Sequence, residues 1–158
     1  SVKDFIWILE VRPDDEDFLR HELDYPFTAV YSKNEMIDYV ISNSINLQTR
    51  HDCDDYMSPD YIEKLQEIYE SNISKYDKFL VQSQPIKLMY DTGAEVKIRL
   101  YHETRCSMHL TLCQSDVINH IYEHPHGQMY KVTPNVISMG EGYTKWVIHG
   151  NNITVIGK

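Results

Sequence analysis

Three short apolar segments, each followed by a stretch long enough to form a helix, occupy the first half of the chain. They span residues 5–11, 27–31 and 45–51, and each is followed by polar or turn-forming residues. Segments of this length and composition are typical of strands, and their alternation with helices is typical of βαβ units. We therefore predict an α/β fold with a mainly parallel central sheet, in which the first strand is buried on both faces.

Helix signals lie between and after these strands. Residues 14–23 begin with acidic residues and place apolar residues on one side, which predicts a short helix. Ser32 and Glu35 have the spacing of a capping box, which predicts a second helix. Residues 58–71 begin with Ser58 as a cap and a proline at the first helical position, which predicts a third helix.

The second half of the chain is typical of a β-hairpin rather than of further βαβ units. Residues 85–90 and 95–101 alternate polar and apolar side chains around a turn-forming segment at 91–94. We also predict a helix near residues 115–122 and a short strand at 153–156.

Composition narrows the class of protein. The chain has 158 residues, of which 42% are hydrophobic and 25% charged, and no repeat or linker divides it. We expect residues 1–158 to form a single domain with a buried core. The net charge of −9 argues against binding to nucleic acid or anionic membranes by electrostatics, because such binding needs clustered cations.

Cysteine usage and hydropathy indicate a cytoplasmic protein. Three irregularly spaced cysteines do not form a disulfide framework. We see neither the pattern of a signal peptide nor an apolar run of about 20 residues, so we predict no integral membrane segment.

An acidic segment follows the third predicted strand. Asp52, Asp54 and Asp55 place three carboxylates within four positions. Like charges this close repel one another, so such clusters usually serve a cation or a hydrogen-bonded ligand. In parallel sheets, ligands bind beyond the carboxyl ends of the strands, where these residues would lie. A purely structural interpretation stays open, because helix amides and the helix dipole also favour acidic residues before a helix.

Two segments resemble a known family. Residues 50–59 (Arg-His-Asp-Cys-Asp-Asp-Tyr-Met-Ser-Pro) resemble the Asp-x-Asp (DXD) motif of glycosyltransferases with the GT-A fold. They are most similar to the rhamnosyltransferase-like group, related to glycosyltransferase family two, whose motif reads roughly Arg-x-Asp-x-Asp-Asp. The Trp, His-Gly and Asn pattern near the end of that group is matched by Trp146, His149, Gly150 and Asn152.

This resemblance implies a metal-dependent transfer of a sugar from a nucleotide-sugar donor to a hydroxyl of a saccharide or other acceptor. The metal, Mn²⁺ or Mg²⁺, would be held by Asp52, Asp54, Asp55 and His149. The donor would be bound by Arg50, Asp52, Lys145 and Trp146. A divalent ion suits this chemistry because negative charge accumulates on the departing diphosphate, and carboxylate oxygens are ligands that hard cations prefer.

The resemblance leaves the catalytic base open. An inverting transferase needs a carboxylate to deprotonate the acceptor hydroxyl. Asp116 and Glu141 are candidates, and Glu103 is a third, but no motif surrounds any of them. The stereochemical outcome, the donor sugar and the acceptor therefore stay open.

Two other functions remain as alternatives. Family members begin with a strand and loop that grip the nucleobase, whereas this sequence starts at what resembles their second strand. The chain would then lack a nucleobase-binding element, which favours a non-catalytic binding or structural remnant of the same fold. A metal-dependent phosphoester hydrolase that uses the same carboxylates is a weaker alternative.

Overall fold

A computed structural model describes residues 5–51, 56–83, 86–91, 96–101, 109–140 and 142–149. In chain order, the strands are β1 (Trp7–Glu10), β2 (Phe27–Val30), β3 (Leu47–Thr49), β4 (Tyr56–Met57), β5 (Lys78–Ser83), β6 (Ile86–Asp91), β7 (Val96–Tyr101), β8 (Leu110–Gln114), β9 (Val136–Gly140) and β10 (Thr144–His149). The helices are α1 (Glu16–Glu22), α2 (Lys33–Ser42) and α3 (Tyr61–Asn72), and 3₁₀ turns span Pro13–Asp15 and His126–Lys131.

The described strands form three small sheets. β1 and β2 pair in parallel. The second sheet has the order β3-β8-β5-β9, and the third has the order β4-β10-β6-β7. Both four-stranded sheets are mixed, since each contains parallel and antiparallel neighbours.

The predicted α/β class is confirmed, but the prediction of a mainly parallel central sheet is wrong for the described strands. β3 does not continue the parallel β1-β2 pair; it pairs with β8, which runs antiparallel to both β3 and β5. Local apolar patterns identify strands but do not encode which distant strand becomes the partner, so the direction of pairing was not readable from them.

The two central strands of the β3-β8-β5-β9 sheet, β8 and β5, are buried on both faces. Alternate residues of β5 and β8 point to opposite sides, and two separate apolar clusters result. One cluster contains residues of α3 and consists of Tyr61, Leu65, Ile68, Phe79, Val81, Cys113 and Met139. The other consists of Leu80, Leu110, Leu112, Ile121 and Met129. Each fully buried large side chain stabilises the fold by about 1.5–3 kcal/mol.

The first predicted strand is less buried than expected. β1 covers only residues 7–10, and its Trp7, Ile8 and Leu9 are half-buried. Phe5 and Ile6 are 50% and 51% exposed. The expectation that this strand is covered on both faces is therefore wrong for the described residues.

The helix predicted near residues 115–122 is absent; these residues form an irregular segment after β8. Side-chain amides of two strand residues bond to the backbone of this segment. Gln48 Oε1 accepts from the Ile121 amide at 3.0 Å, and Gln114 Nε2 donates to the Asn119 carbonyl at 2.8 Å. Both glutamine side chains come from strands, so tertiary contacts override the local pattern.

The first two predicted helices are confirmed. The 14–23 segment forms a 3₁₀ turn followed by α1. α2 begins with the predicted cap, since the Ser32 hydroxyl accepts from the Glu35 amide at 3.2 Å and the Glu35 carboxylate accepts from the Tyr31 amide at 2.9 Å.

The third helix begins later than predicted. α3 starts at Tyr61, and Asp60 rather than Ser58 precedes it as the cap residue. Ser58 has another role, because its backbone N–H donates to the Tyr143 carbonyl at 2.8 Å. The Ser58 hydroxyl has no hydrogen-bond partner among the described residues. The start of this helix is therefore tied to the tail of the chain.

The predicted hairpin is confirmed, because β6 and β7 pair antiparallel from Ile86 opposite Tyr101 to Asp91 opposite Val96. Asp91 of the predicted turn at 91–94 belongs to β6, and residues 92–95 and the strand predicted at 153–156 lie outside the described residues. Over the part of the chain that the structure describes, the helices are all too short or too polar to cross a membrane.

Candidate functional site

The three aspartates predicted to bind a metal are preceded and followed by described structure. β3 ends at Thr49, and Arg50 and His51 follow it. The chain is described again from Tyr56, where β4 begins. Asp52, Asp54 and Asp55 fall between these points and lie outside the described residues, as do Glu103 and Glu141.

The tail of the chain pairs with the strand that follows the acidic segment. β10 is antiparallel to β4, with Thr144 opposite Met57 and Lys145 opposite Tyr56. The Ser58–Tyr143 hydrogen bond extends this contact toward α3. Two segments far apart in the sequence, both singled out by the motif, are therefore neighbours in one sheet.

β10 is held on its other side by β6. The two strands are parallel, from Lys145 opposite Lys87 to His149 opposite Asp91. Thr144 and Lys145 pair with β4, and residues 145–149 pair with β6, so only the first part of β10 has described partner strands on both sides. The predicted donor-binding residues Lys145 and Trp146 and the predicted ligand His149 all belong to β10.

A buried hydroxyl network lies at the end of β3. Thr49 Oγ1 and Thr111 Oγ1 are 2.6 Å apart, and Thr111 Oγ1 is 3.1 Å from the Tyr61 hydroxyl. Thr111 and Tyr61 are fully buried. Burial raises the pKa of Tyr61 to about 12, although hydrogen bonds from the two threonines act against that rise. The phenol therefore stays protonated at neutral pH.

Two imidazoles meet beside this network. The ring of His51 lies 4.9 Å from the ring of His109, between centroids, and 6.3 Å from the ring of Trp7. His109 is fully buried. These contacts join the end of β3 to the start of β8 and to β1.

The predicted phosphate-binding residue Arg50 packs on an aromatic ring. Its guanidinium lies 5.2 Å from the centroid of Tyr122, and the ammonium of Lys33 lies 5.4 Å from the same ring. Lys33 also donates to the Tyr122 carbonyl at 3.2 Å. Two cations, one from α2 and one from the end of β3, therefore contact the Tyr122 ring. Cation–π interactions at these distances are modestly stabilising.

Asp116 is not near this end of β3. It follows β8 at the end opposite His109, where the Gln114 amide donates to the Asn46 carbonyl at 3.1 Å. From Thr111 to Gln114 alone the strand extends about 10 Å. Asp116 is also exposed, and the geometry does not bring it together with His51 or with the hydroxyl network. It therefore does not fit the role of a base beside the acidic segment.

Sequence patterns did not reveal Tyr61, His109 and Thr111 as residues of this region. Tyr61 fits the apolar face of α3, and Thr111 is an ordinary β-branched strand residue, so neither carries a local signal of a polar role. Within the described ranges, no three His, Cys, Asp or Glu side chains are grouped closely enough to hold a metal ion. The predicted aspartate ligands are not in those ranges.

Comparisons of this chain with protein-family models, with curated proteins and with solved structures found no match.

Proposed function

We propose that this chain is a metal-dependent glycosyltransferase of the GT-A type. It would transfer a sugar from a nucleotide-sugar donor to a hydroxyl of a saccharide or other acceptor. The proposal rests on the motif segments at 50–59 and 146–152, on the mixed α/β fold, and on the pairing between β4 and β10.

The β4–β10 register is the observation that carries the proposal. Tyr56 pairs with Lys145 in antiparallel strands. Asp52 precedes Tyr56 by four residues, and His149 follows Lys145 by four residues. In an antiparallel pair these two directions are the same, so both chains leave the Tyr56–Lys145 pair toward one end of the sheet. Each residue is within about 14 Å of that pair by chain length alone.

The residue types suit a hard divalent cation. Carboxylates at Asp52, Asp54 and Asp55 supply oxygen ligands, and one imidazole at His149 makes the set better for Mn²⁺ than for Mg²⁺. When bound, such an ion neutralises the charge that develops on the leaving diphosphate. Asp54 would ligate the ion, Asp52 would contact the ion or the donor ribose, and Asp55 would ligate it or orient a ligand.

Cationic residues flank the same region. Arg50 directly precedes the acidic segment, and Lys145 pairs with the residue that follows it. In this proposal both residues bind the donor phosphates, and Trp146 packs beside the sugar or supports β10. At an effective dielectric near 20, unit charges 4 Å apart interact by about 4 kcal/mol, so these cations offset much of the repulsion between phosphates and carboxylates.

Binding of Mn²⁺ and of nucleoside diphosphates tests the proposal. The protein would be titrated by calorimetry with Mn²⁺ and then with a panel of nucleoside diphosphates in its presence. We expect metal-dependent diphosphate binding, and we expect Asp54→Ala to weaken Mn²⁺ binding by more than about 100-fold, because even indirect supporting residues contribute 10- to 100-fold.

A matched control removes the same charge elsewhere. Asp38 is an exposed residue of α2, so Asp38→Ala changes the net charge equally and should leave Mn²⁺ binding unchanged. Lys145→Ala should weaken diphosphate binding but not Mn²⁺ binding. Equal diphosphate binding with and without metal, or an Asp54→Ala protein that binds Mn²⁺ normally, contradicts the proposal. Metal-dependent binding without sugar transfer to any acceptor would instead favour a non-catalytic binding domain.

A further inference from the structure

We propose that Thr49, Thr111 and Tyr61 form a hydroxyl clasp that holds the two ends of the acidic segment 50–60 in place. Its effect on metal binding rests on the function proposed above, whereas its effect on the segment itself does not. These three residues are positioning residues, since they would act through the segment that they hold.

The clasp is defined by two hydrogen bonds that share one oxygen. Thr111 Oγ1 is 2.6 Å from Thr49 Oγ1 and 3.1 Å from the Tyr61 hydroxyl. The Tyr61 hydroxyl also reaches the His109 carbonyl, at a longer 3.4 Å. Because Thr111 and Tyr61 are fully buried, water does not compete for these hydrogen bonds, and losing one leaves a buried polar group to be paired again.

The position of the clasp in the chain gives it a role. Thr49 is the last residue of β3, and Tyr61 is the first residue of α3. Residues 50–60, which include the three carboxylates, connect them. Thr111 comes from β8, a strand of the second half of the chain, and bonds to both ends at once. Thr49 and Tyr61 are therefore linked through β8 as well as through the chain between them.

Holding both ends has a physical consequence for the segment. A loop with fixed ends samples fewer conformations, so less entropy is lost when its side chains converge on a ligand. Carboxylate ligands in general benefit from such restriction, because bringing like charges together costs free energy. The clasp would thus favour binding by organising the segment beforehand.

The neighbouring Tyr69 provides a matched comparison. It lies on the same helix, is half-buried, and its hydroxyl donates to the Gln114 carbonyl at 3.4 Å. Gln114 is at the other end of β8 from His109. Tyr69→Phe therefore removes a tyrosine hydroxyl from α3 without touching the connection at 50–60.

Hydrogen exchange of the metal-free protein tests the clasp directly. We expect Thr111→Val and Tyr61→Phe to speed amide exchange in residues 50–60 by about fivefold or more. This is the change in exchange rate that corresponds to the net free energy of one lost hydrogen bond. Peptides from the C-terminal half of α3 and from β5 should exchange as in the wild type. Tyr69→Phe should leave the 50–60 peptide unchanged, and Thr111→Ser, which keeps the hydroxyl, should restore the wild-type rate.

A second measurement connects the clasp to binding. Titration with Mn²⁺ should show affinity lowered about fivefold by Thr111→Val and Tyr61→Phe, with Thr111→Ser and Tyr69→Phe close to the wild type. Should Thr111→Val prevent folding, the Tyr61→Phe and Thr111→Ser pair gives the same comparison.

The outcomes separate the two proposals. Unchanged exchange at 50–60 in a folded Thr111→Val or Tyr61→Phe protein overturns the clasp, even if Mn²⁺ binds. Faster exchange throughout the protein also overturns it, because that result indicates general destabilisation. Faster exchange confined to 50–60 in a protein that binds no Mn²⁺ supports the clasp and refutes the metal-dependent function.

Discussion

Tyr56 and Lys145 face each other in neighbouring antiparallel strands, so the residue after the acidic segment is paired with the first of the predicted donor-binding residues of the tail. Both strands belong to a sheet whose other members, β6 and β7, form a hairpin. The pairing gives the two motif segments a common framework and makes their register testable.

A disulfide cross-link tests that register. In a chain with Cys53 and Cys106 changed to Ser, we expect Tyr56→Cys with Lys145→Cys to form a disulfide under mild oxidation, because directly opposite residues have Cβ atoms about 4.5–5.5 Å apart. The cross-link would be measured by mass spectrometry after cleavage of the non-reduced protein.

The matched control for the cross-link moves one partner along the strand. Tyr56→Cys with Ile148→Cys should not cross-link, since three residues correspond to about 10 Å in a strand. Efficient cross-linking of that pair would contradict the register of β4 and β10.

His149→Ala tests the imidazole in the proposed metal site. We expect the variant to lose about tenfold or more of its affinity for Mn²⁺ and less of its affinity for Mg²⁺, because imidazole suits Mn²⁺ better. Calorimetric titration with each metal measures the ratio. The exposed His21 on α1 supplies the control, and His21→Ala should change neither affinity. Equal losses for the two metals would argue that His149 supports the strand and does not ligate.

Leu112→Ala tests the buried core of the β3-β8-β5-β9 sheet. Leu112 is fully buried in one of the two apolar clusters, so truncating it should lower the free energy of unfolding by about 2–5 kcal/mol. Ile118 is 74% exposed, and Ile118→Ala should change the free energy of unfolding by less than about 0.5 kcal/mol. Urea denaturation followed by circular dichroism measures both, and similar values would contradict the described burial.

The Glu16–Tyr31 hydrogen bond predicts a pH-dependent contribution to stability. The Tyr31 hydroxyl donates to the Glu16 carboxylate, and this bond, followed by one from Arg20, lowers the pKa of Glu16 below its usual 4.5. A carboxyl whose pKa is lowered in the folded state stabilises the protein above its unfolded pKa and loses that contribution as the pH falls through the folded value.

Tyr31→Phe should therefore raise the pKa of Glu16 and destabilise the protein at pH 6, with a difference from the wild type that shrinks below about pH 4.5. An NMR titration of the Glu16 carboxyl carbon and urea denaturation at pH 6 and pH 3 measure the two effects. Tyr130 is 54% exposed and serves as the control through Tyr130→Phe. A difference that stays constant with pH would show that Tyr31 acts through packing alone.

Local sequence signals were sufficient for β1, β2, β3, α1, α2 and the hairpin. The capping box at Ser32 and Glu35 is satisfied by side chains within one turn, so the residues that predict the helix are those that form its cap. The hairpin likewise depends on alternation and a turn within one short stretch.

Long-range contacts account for what the sequence patterns missed. β8 was not among the predicted strands, and its place in the sheet depends on pairing with the distant strands β3 and β5. The region after it is not helical, and its backbone is bonded by Gln48, a distant residue of β3, and by Gln114, the last residue of β8. The proximity of β4 and β10 was implied only by the family resemblance. No sequence pattern predicted the hydroxyl contacts of Thr111 and Tyr61.

The β4–β10 pair also bears on when the proposed site first exists during synthesis. β10 lies between β4 and β6, so a nascent chain still missing residues 144–149 lacks the middle of that sheet. Contacts between such distant residues form slowly, since a long intervening chain must be ordered first. At translation speeds of about 5–20 residues per second, the acidic segment leaves the ribosome seconds before its partner strand. In the function proposed above, a nascent chain would therefore have no complete donor site until residues 144–149 have paired with β4 and β6.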